Sequence, residues 1–219
     1  MTLKAVIWDM DGVIVDSELQ WQRCEGEFFR KHVPTWSEQD HHKIVGLGVE
    51  DLYHFLAREY SITAGKEQFL KECHEIAALV YHERCSLTPG FRETLSGIQA
   101  RGLRLGLASS SPRVWIQAVL SRFGLVETFA ALACADDVPS GKTKPEPDIY
   151  LEALRRVGVS PGEALAIEDS ALGLRAAKRA GLACAAFRNG SNDAQDFSAA
   201  DFELRSLPEL LARLPAAPR

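Results

Sequence analysis

The sequence predicts an α/β protein: a Rossmann-like parallel sheet, interrupted after its first strand by an all-helical segment. Three observations predict it. Short apolar runs without polar alternation recur along the chain, the pattern of strands buried on both faces. Helical patterns lie between them, each followed closely by glycine. One long stretch near the N-terminus has helical spacing and no convincing buried strand.

The first apolar run, Ala5 to Trp8, stops at Asp9. Leu103 to Ala108, Ala131 to Cys134, Ala164 to Ile167 and Ala183 to Phe187 have the same character, the alanine-rich ones more weakly. Helices are expected over Phe91 to Ala100, Val114 to Phe123, Ile149 to Val157 and Leu172 to Ala180. Gly102, Gly124, Gly158 and Gly181 stand where a helix ending in a left-handed residue needs glycine. Strand–helix alternation of this kind gives a parallel sheet with helices on both faces. Residues 16–87 differ. They hold all six histidines and two of the four tryptophans. Leu52, Phe55 and Leu56, then Phe69, Leu70, Cys73, Ile76, Ala77 and Val80, recur at helical spacing. Ser17 with Glu18 reads as the start of the first of these helices. The expected organisation is a core of residues 1–15 and 88–219 and a helical insertion of residues 16–87. The chain returns to the core near Pro89-Gly90, and the tail after Leu214 is expected to fray.

The chain of 219 residues is long enough for one core and a smaller second unit. Hydrophobic residues make up 46% and charged residues 25%, ordinary for a soluble globular protein. A net charge of -5 argues against a nucleic-acid partner, which would call for a basic face. No apolar run is long enough to span a bilayer, and no signal region precedes the first acidic residues. Five scattered cysteines, none in a CxxC pair, read as free thiols in a reducing compartment. A cytoplasmic location and a monomer are the corresponding expectations.

Asp9, Asp11 and Gly12 follow the first strand, and in open parallel sheets ligands bind at that edge. Two carboxylates converging on one site do not both ionise without a cation, and magnesium prefers such oxygens. One carboxylate is then free to attack while the other handles protons. A second acidic pair, Glu168-Asp169, ends another apolar run and would add metal ligands. Ser109 and Ser110, in LASSSP, offer a hydroxyl and backbone N–H groups for a phosphoryl oxygen at a helix start. Lys144, in GKTKPEPDIY, offers a fixed ammonium, with Lys142 as a nearby competitor. Each motif alone has an ordinary reading: a turn, a helix N-terminus, a cap or an exposed loop lysine.

Together the motifs DMDGVIVDSE, LASSS, KPEPDIY and IEDSALGLRAAKRAG, in this order, carry a resemblance that covers nearly the whole chain. The sequence resembles the haloacid dehalogenase superfamily, in its phosphatase and phosphomutase branch with a helical cap. The resemblance implies that Asp9 attacks phosphorus and forms an aspartyl-phosphate. It implies that Asp11 protonates the leaving oxygen, then activates water, while its main-chain carbonyl binds magnesium. Asp9 and Asp169 would be side-chain ligands of the ion, with Glu168 assisting. Ser109 and Lys144 would hold the transferred group of a small phosphorylated substrate. The fold implied is a Rossmann-like sheet whose helical cap closes over the site, with residues 12–16 as flap and hinge.

Within the family, Asp11 together with Asp169 argues for attack on phosphorus rather than on carbon. A β-phosphoglucomutase-like enzyme is the alternative. Such an enzyme carries a histidine where this chain has Trp21, an arginine near Val49 and a lysine where Pro112 stands. The start SELQWQRCE looks more like the hexitol-phosphate and deoxyglucose-phosphate phosphatases. A sugar or sugar-alcohol phosphatase is therefore the leading expectation, and a non-catalytic binding module the third. Glu18, Gln20, Trp21 and the turn Gly46-Leu47-Gly48 are expected on the substrate side, although Trp21 would serve equally well as core. His41-His42 reads as a solvated surface pair, since adjacent side chains rarely converge on one ion.

Overall fold

Strand β1 (Ala5–Trp8) is buried along its whole length. Its side chains alternate between two apolar clusters, Ala5 and Ile7 in one, Val6 and Trp8 in the other. Both faces of the sheet are therefore covered, which is why the run shows no polar alternation. The computed structural model describes residues 2–216, so residues 217–219 of the expected frayed tail lie outside the described residues.

The sheet has six parallel strands in the order β3-β2-β1-β4-β5-β6. The others are β2 (Arg104–Ala108), β3 (Ala131–Ala133), β4 (Ala164–Glu168), β5 (Ala183–Phe187) and β6 (Phe202–Leu204). Ala5 stands opposite Arg104 on one side and Ala164 on the other, so β1 is central. β6 was not expected; its FEL holds an exposed glutamate between its apolar residues and so gives no continuous apolar run. The alanines of β3, β4 and β5 pack against α6 (Asp148–Val157) and α7 (Ala171–Arg179), where small side chains let helix and sheet approach closely. On the other face, Phe91, Leu95 and Ile98 of α4 (Phe91–Gln99) and Ile116 and Val119 of α5 (Arg113–Arg122) join Trp8, Leu105, Leu107 and Ile167. Gly102, Gly124, Gly158 and Gly181 all have positive φ, as their places after helices require.

Between β1 and α4 the chain is helical: α1 (Ser17–His32), a 3₁₀ turn (Glu38–Lys43), α2 (Val49–Glu59), α3 (Lys66–Leu79) and a π-helical turn (Val80–Arg84). Phe28, Phe29, Val33, Leu56, Phe69, Cys73 and Ala77 form the buried side of these helices. The two crossing segments lie side by side. Asp16 N–H donates to the Ser86 carbonyl at 3.0 Å, and Thr88 N–H to the Ile14 carbonyl at 2.9 Å. The Asp16 carboxylate accepts from Ser86 N–H, so it ties the segments together instead of capping α1.

Further bonds seat the helical segment on the core. Arg122 of α5 donates to the carbonyls of Tyr81 and Glu83 at 3.0 and 2.9 Å. Trp115 Nε1 donates to His74 Nδ1 at 2.9 Å, Gln195 Nε2 to the His42 carbonyl at 3.1 Å, and Thr143 to Asp51. The histidine pair departs from expectation. His42 is exposed, but His41 is half-buried and lines the central cavity. Successive residues of a 3₁₀ turn point about 120° apart, so the two rings separate. Among the described residues no helix is long and apolar enough to cross a membrane, and none of the five cysteines is in a disulfide.

Candidate active site at the carboxyl edge of the sheet

The ends of β1, β2 and β4 are neighbours, and each delivers polar residues to one place. Asp9 N–H donates to the Ile167 carbonyl at 3.1 Å, so strand pairing fixes the backbone of Asp9 beyond β1. Its carboxylate is 5% exposed and lies 2.6 Å from Lys144 Nζ. The same ammonium lies 2.6 Å from Glu168 Oε1, at the end of β4. Glu168 is wholly buried; it also accepts from the Tyr150 hydroxyl and, at 3.3 Å, from Ser170 Oγ. Ser170 caps α7 by accepting from Gly173 N–H at 3.0 Å. A side chain at 173 would place its Cβ 2.0 Å from Glu168 Oε2, so glycine there makes room for the carboxylate. Lys142, the competitor in the same loop, is exposed.

Asp169 is held from a loop that the sequence did not single out. Asn189 Nδ2 donates to Asp169 Oδ2 at 2.9 Å and to the Gly12 carbonyl at 3.1 Å. Asn192 Nδ2 donates to the main-chain carbonyl of Asp169 at 2.7 Å. Gly12 has φ +72°, and a Cβ there would fall 1.9 Å from Asp169 Oδ2. The turn after Asp11 therefore needs glycine for both conformation and space.

Oxygens of Asp9, Glu168 and Asp169 lie within 4.8 Å of one another, all buried. Burial raises the pKa of Asp9 well above the ordinary carboxylate value, and Glu168 and Asp11 add to it, with Lys144 opposing. Burial likewise raises that of Asp169, helped by Glu18, Asp9 and Glu168. Burial disfavours the Lys144 charge, but Asp9 and Glu168 outweigh it and hold its pKa above the usual lysine value. Three buried carboxylates against one ammonium leave negative charge unbalanced. A hard divalent cation bound by oxygens fits this donor set and would remove the imbalance.

Asp11 is bonded differently. Its Oδ1 accepts from Ser17 Oγ at 2.6 Å and from the Tyr81 hydroxyl at 2.7 Å. Its Oδ2 accepts from Ser111 Oγ at 2.8 Å and, more weakly, from Ser109 Oγ at 3.5 Å. Ser110 Oγ is buried and has no hydrogen-bond partner among the described residues. A buried hydroxyl left so, in the polar core-side wall of a cavity, suits an oxygen-rich ligand.

The cavity above these groups is lined by Asp9, Asp11, Asp169, Lys144 and Ser109 to Ser111 on the core side. Glu18, Trp21, His41, Gly46, Leu47 and Tyr81 line it from the helical segment, so of the expected site residues Glu168, Gln20 and Gly48 do not line it. Gln20 is buried and its side-chain oxygen accepts from Arg23. Glu168 lies behind Lys144. Trp21 serves both expected ends: it lines the cavity and packs against Tyr81 and Trp115, with ring centroids 6.3 and 5.6 Å away. Gly46, at φ +87°, would bring a Cβ within 2.6 Å of Ser170 Oγ, so the turn can approach α7 only as glycine.

A model of the haloacid dehalogenase-like hydrolases matches residues 3–181. The chain belongs to this family. Hexitol phosphatase B of Escherichia coli K12 is 33% identical over 215 residues, covering 95% of this chain and 95% of that protein. The phosphorylated carbohydrates phosphatase of Thermotoga maritima is 33% identical over 180 residues, covering 82% of each chain. Among solved structures, a mutant of CbbY from Rhodobacter sphaeroides in complex with xylulose-(1,5)bisphosphate superposes with a TM-score of 0.83. It is 28% identical, covering 98% of this chain and 100% of that one. This haloacid dehalogenase-like hydrolase thus shares 82–95% of its length, and not just its motifs, with these relatives named for phosphate removal.

Proposed function

We propose that this hydrolase is a magnesium-dependent phosphatase of a small phosphorylated carbohydrate, a sugar or sugar-alcohol phosphate, acting through an aspartyl-phosphate. The observation that carries the reading is the buried Asp9 carboxylate, set close to Lys144 and Asp169 and lining a cavity between the core and the helical segment. Names of relatives point to the substrate class: hexitol phosphatase, phosphorylated carbohydrates phosphatase and validoxylamine A 7'-phosphate phosphatase.

In this reading Asp9 attacks phosphorus, and its bond to phosphorus forms as the bond to the leaving oxygen breaks. Asp11 gives that oxygen its proton, then takes one from the water that cleaves the acyl phosphate. Lys144, Ser109 and Ser110 bind the equatorial oxygens, where negative charge is spread in the transition state. Asp9, Asp169 and the Asp11 carbonyl would hold magnesium, with Glu168 beside them, and the ion would neutralise charge on the carboxylates and the phosphoryl group. Glu168 also fixes Lys144 from behind. Residues 16–87 act as a cap that excludes water and selects substrate, over a core of 1–15 and 88–219.

The cavity wall favours hydrolysis over phosphate relocation between two positions of a sugar. Lys144 is the only lysine or arginine that lines it among the described residues, and a mutase must hold a bisphosphate. Phosphate release across a panel of sugar phosphates, sugar-alcohol phosphates, nucleotides and p-nitrophenyl phosphate tests the proposal. Turnover should need magnesium, stop in EDTA, and fall by on the order of 10³ or more in Asp9→Asn. Isomerisation of glucose 1-phosphate without phosphate release would overturn it.

A further inference from the structure

We infer that Tyr81 is a positioning residue for Asp11, delivered by the helical segment, so that the acid–base group is aligned only while that segment is seated on the core. The inference rests on the phosphatase reading above.

Tyr81 lies about 70 residues along the chain from Asp11, yet its hydroxyl donates to Asp11 Oδ1 at 2.7 Å. The ring is 1% exposed. The indole of Trp21 donates to the same hydroxyl at 3.2 Å, and Trp115 of the core packs against the ring at 5.6 Å. The hydroxyl is thus fixed from both sides. Tyr81 sits in the π-helical turn that ends α3, a local widening often found where a side chain must be aimed. Arg122 clamps that turn from the core through the carbonyls of Tyr81 and Glu83. The remaining donors to Asp11 come from the first residue of α1, Ser17, where the helical segment leaves the core, and from the core, Ser109 and Ser111. Tyr81 alone among the four reaches Asp11 from the far end of the helical segment. If the segment lifts, this bond breaks and Asp11 loses the contact that reports closure.

The step at stake is proton delivery. As the Asp9–phosphorus bond forms, the phosphorus–oxygen bond to the alcohol breaks, and the Asp11 proton passes to that oxygen. An alkoxide needs the proton; a nitrophenolate leaves without it. Loss of alignment should therefore slow alkyl esters selectively. A role confined to packing or binding would slow both kinds of ester alike.

The test compares kcat/KM, which reports the first chemical half-reaction, for the alkyl phosphate turned over fastest in the panel and for p-nitrophenyl phosphate. In Tyr81→Phe, which keeps the ring and loses only the hydroxyl, the alkyl value should fall about tenfold or more and the aryl value less than about twofold. Equal falls, or no fall in either, would overturn the inference. Arg122→Gln loosens the turn from outside the cavity and should show the same split in weaker form. That arm decides the matter if Tyr81→Phe fails to fold by circular dichroism; an unchanged ratio there also overturns it. Failure of the phosphatase reading looks different, because the parent enzyme would then release phosphate from neither ester.

Discussion

Lys144→Met removes one ammonium and keeps the length of the side chain. In the parent, Nζ lies 2.6 Å from Asp9 and 2.6 Å from Glu168. At an effective dielectric of about 20, each contact is worth about 6 kcal/mol of attraction. Burying the ammonium costs several kcal/mol in return, so the net loss on breaking such a pair is about 3–5 kcal/mol. A second route gives the same size. If the variant relieves its repulsion by protonating one carboxylate at pH 7, it works about three units above that group's ordinary pKa, or about 4 kcal/mol. Urea unfolding at pH 7 in EDTA, followed by circular dichroism, reads the difference directly. The expected result is a variant about 3–5 kcal/mol less stable than the parent. A difference under about 1 kcal/mol would refute the reasoning, because the carboxylates would then not be charged together in the fold. Magnesium at a hundredfold excess over its Kd should stabilise the parent by about 2.7 kcal/mol, since the unfolded chain has no converged carboxylates.

Gly173→Ala sets two effects against each other. Helix propensity favours alanine by about 1 kcal/mol, but its Cβ would lie 2.0 Å from Glu168 Oε2. The clash should win, with a net loss of about 1–3 kcal/mol in thermal unfolding and reduced turnover as Glu168 and Lys144 shift. Asp137 gives a pH prediction away from the site. Burial opposes its charge, but Arg156, Cys134 and Arg113 outweigh it and hold its pKa at about 2. The folded value lies below the unfolded one, so the stabilisation is fully present above about pH 4 and is lost as pH falls towards 2. Asp137→Asn should cost about 2 kcal/mol at pH 7 in urea unfolding, a gap that closes towards pH 2.

Local chemistry made the core legible. Short apolar runs without polar alternation marked five of the six strands, and positive φ at Gly102, Gly124, Gly158 and Gly181 follows from their places after helices. β6 escaped because an exposed glutamate interrupts its FEL, whereas β3, an edge strand of the same length, keeps an unbroken apolar run. The acidic and serine motifs were readable because strand ends place them; nothing more than parallel pairing is needed. Tyr81 was not readable. In VYHERC it continues an amphipathic helix, and only the π turn and Arg122 aim it at Asp11. Asn189 and Asn192 sit in a loop whose sequence suggests turns, while their amides hold Asp169 and Gly12. Tyr150 lies within the helix expected over Ile149 to Val157, but its hydroxyl's bond to Glu168 depends on how closely that helix approaches the sheet. His41 shows the same limit, because a 3₁₀ turn decides which of two adjacent rings faces inward.

The helical segment leaves and rejoins the core through two stretches of backbone that touch, Asp16 beside Ser86. Two neighbouring junctions make the segment a cassette. Exchange at those points would replace the whole helical segment and leave Asp9, Glu168 and Asp169 in the core. A donor cassette would need two hydroxyls to meet Asp11 in this host: one at its start, as Ser17 is, and an aromatic one near its C-terminal end, as Tyr81 is.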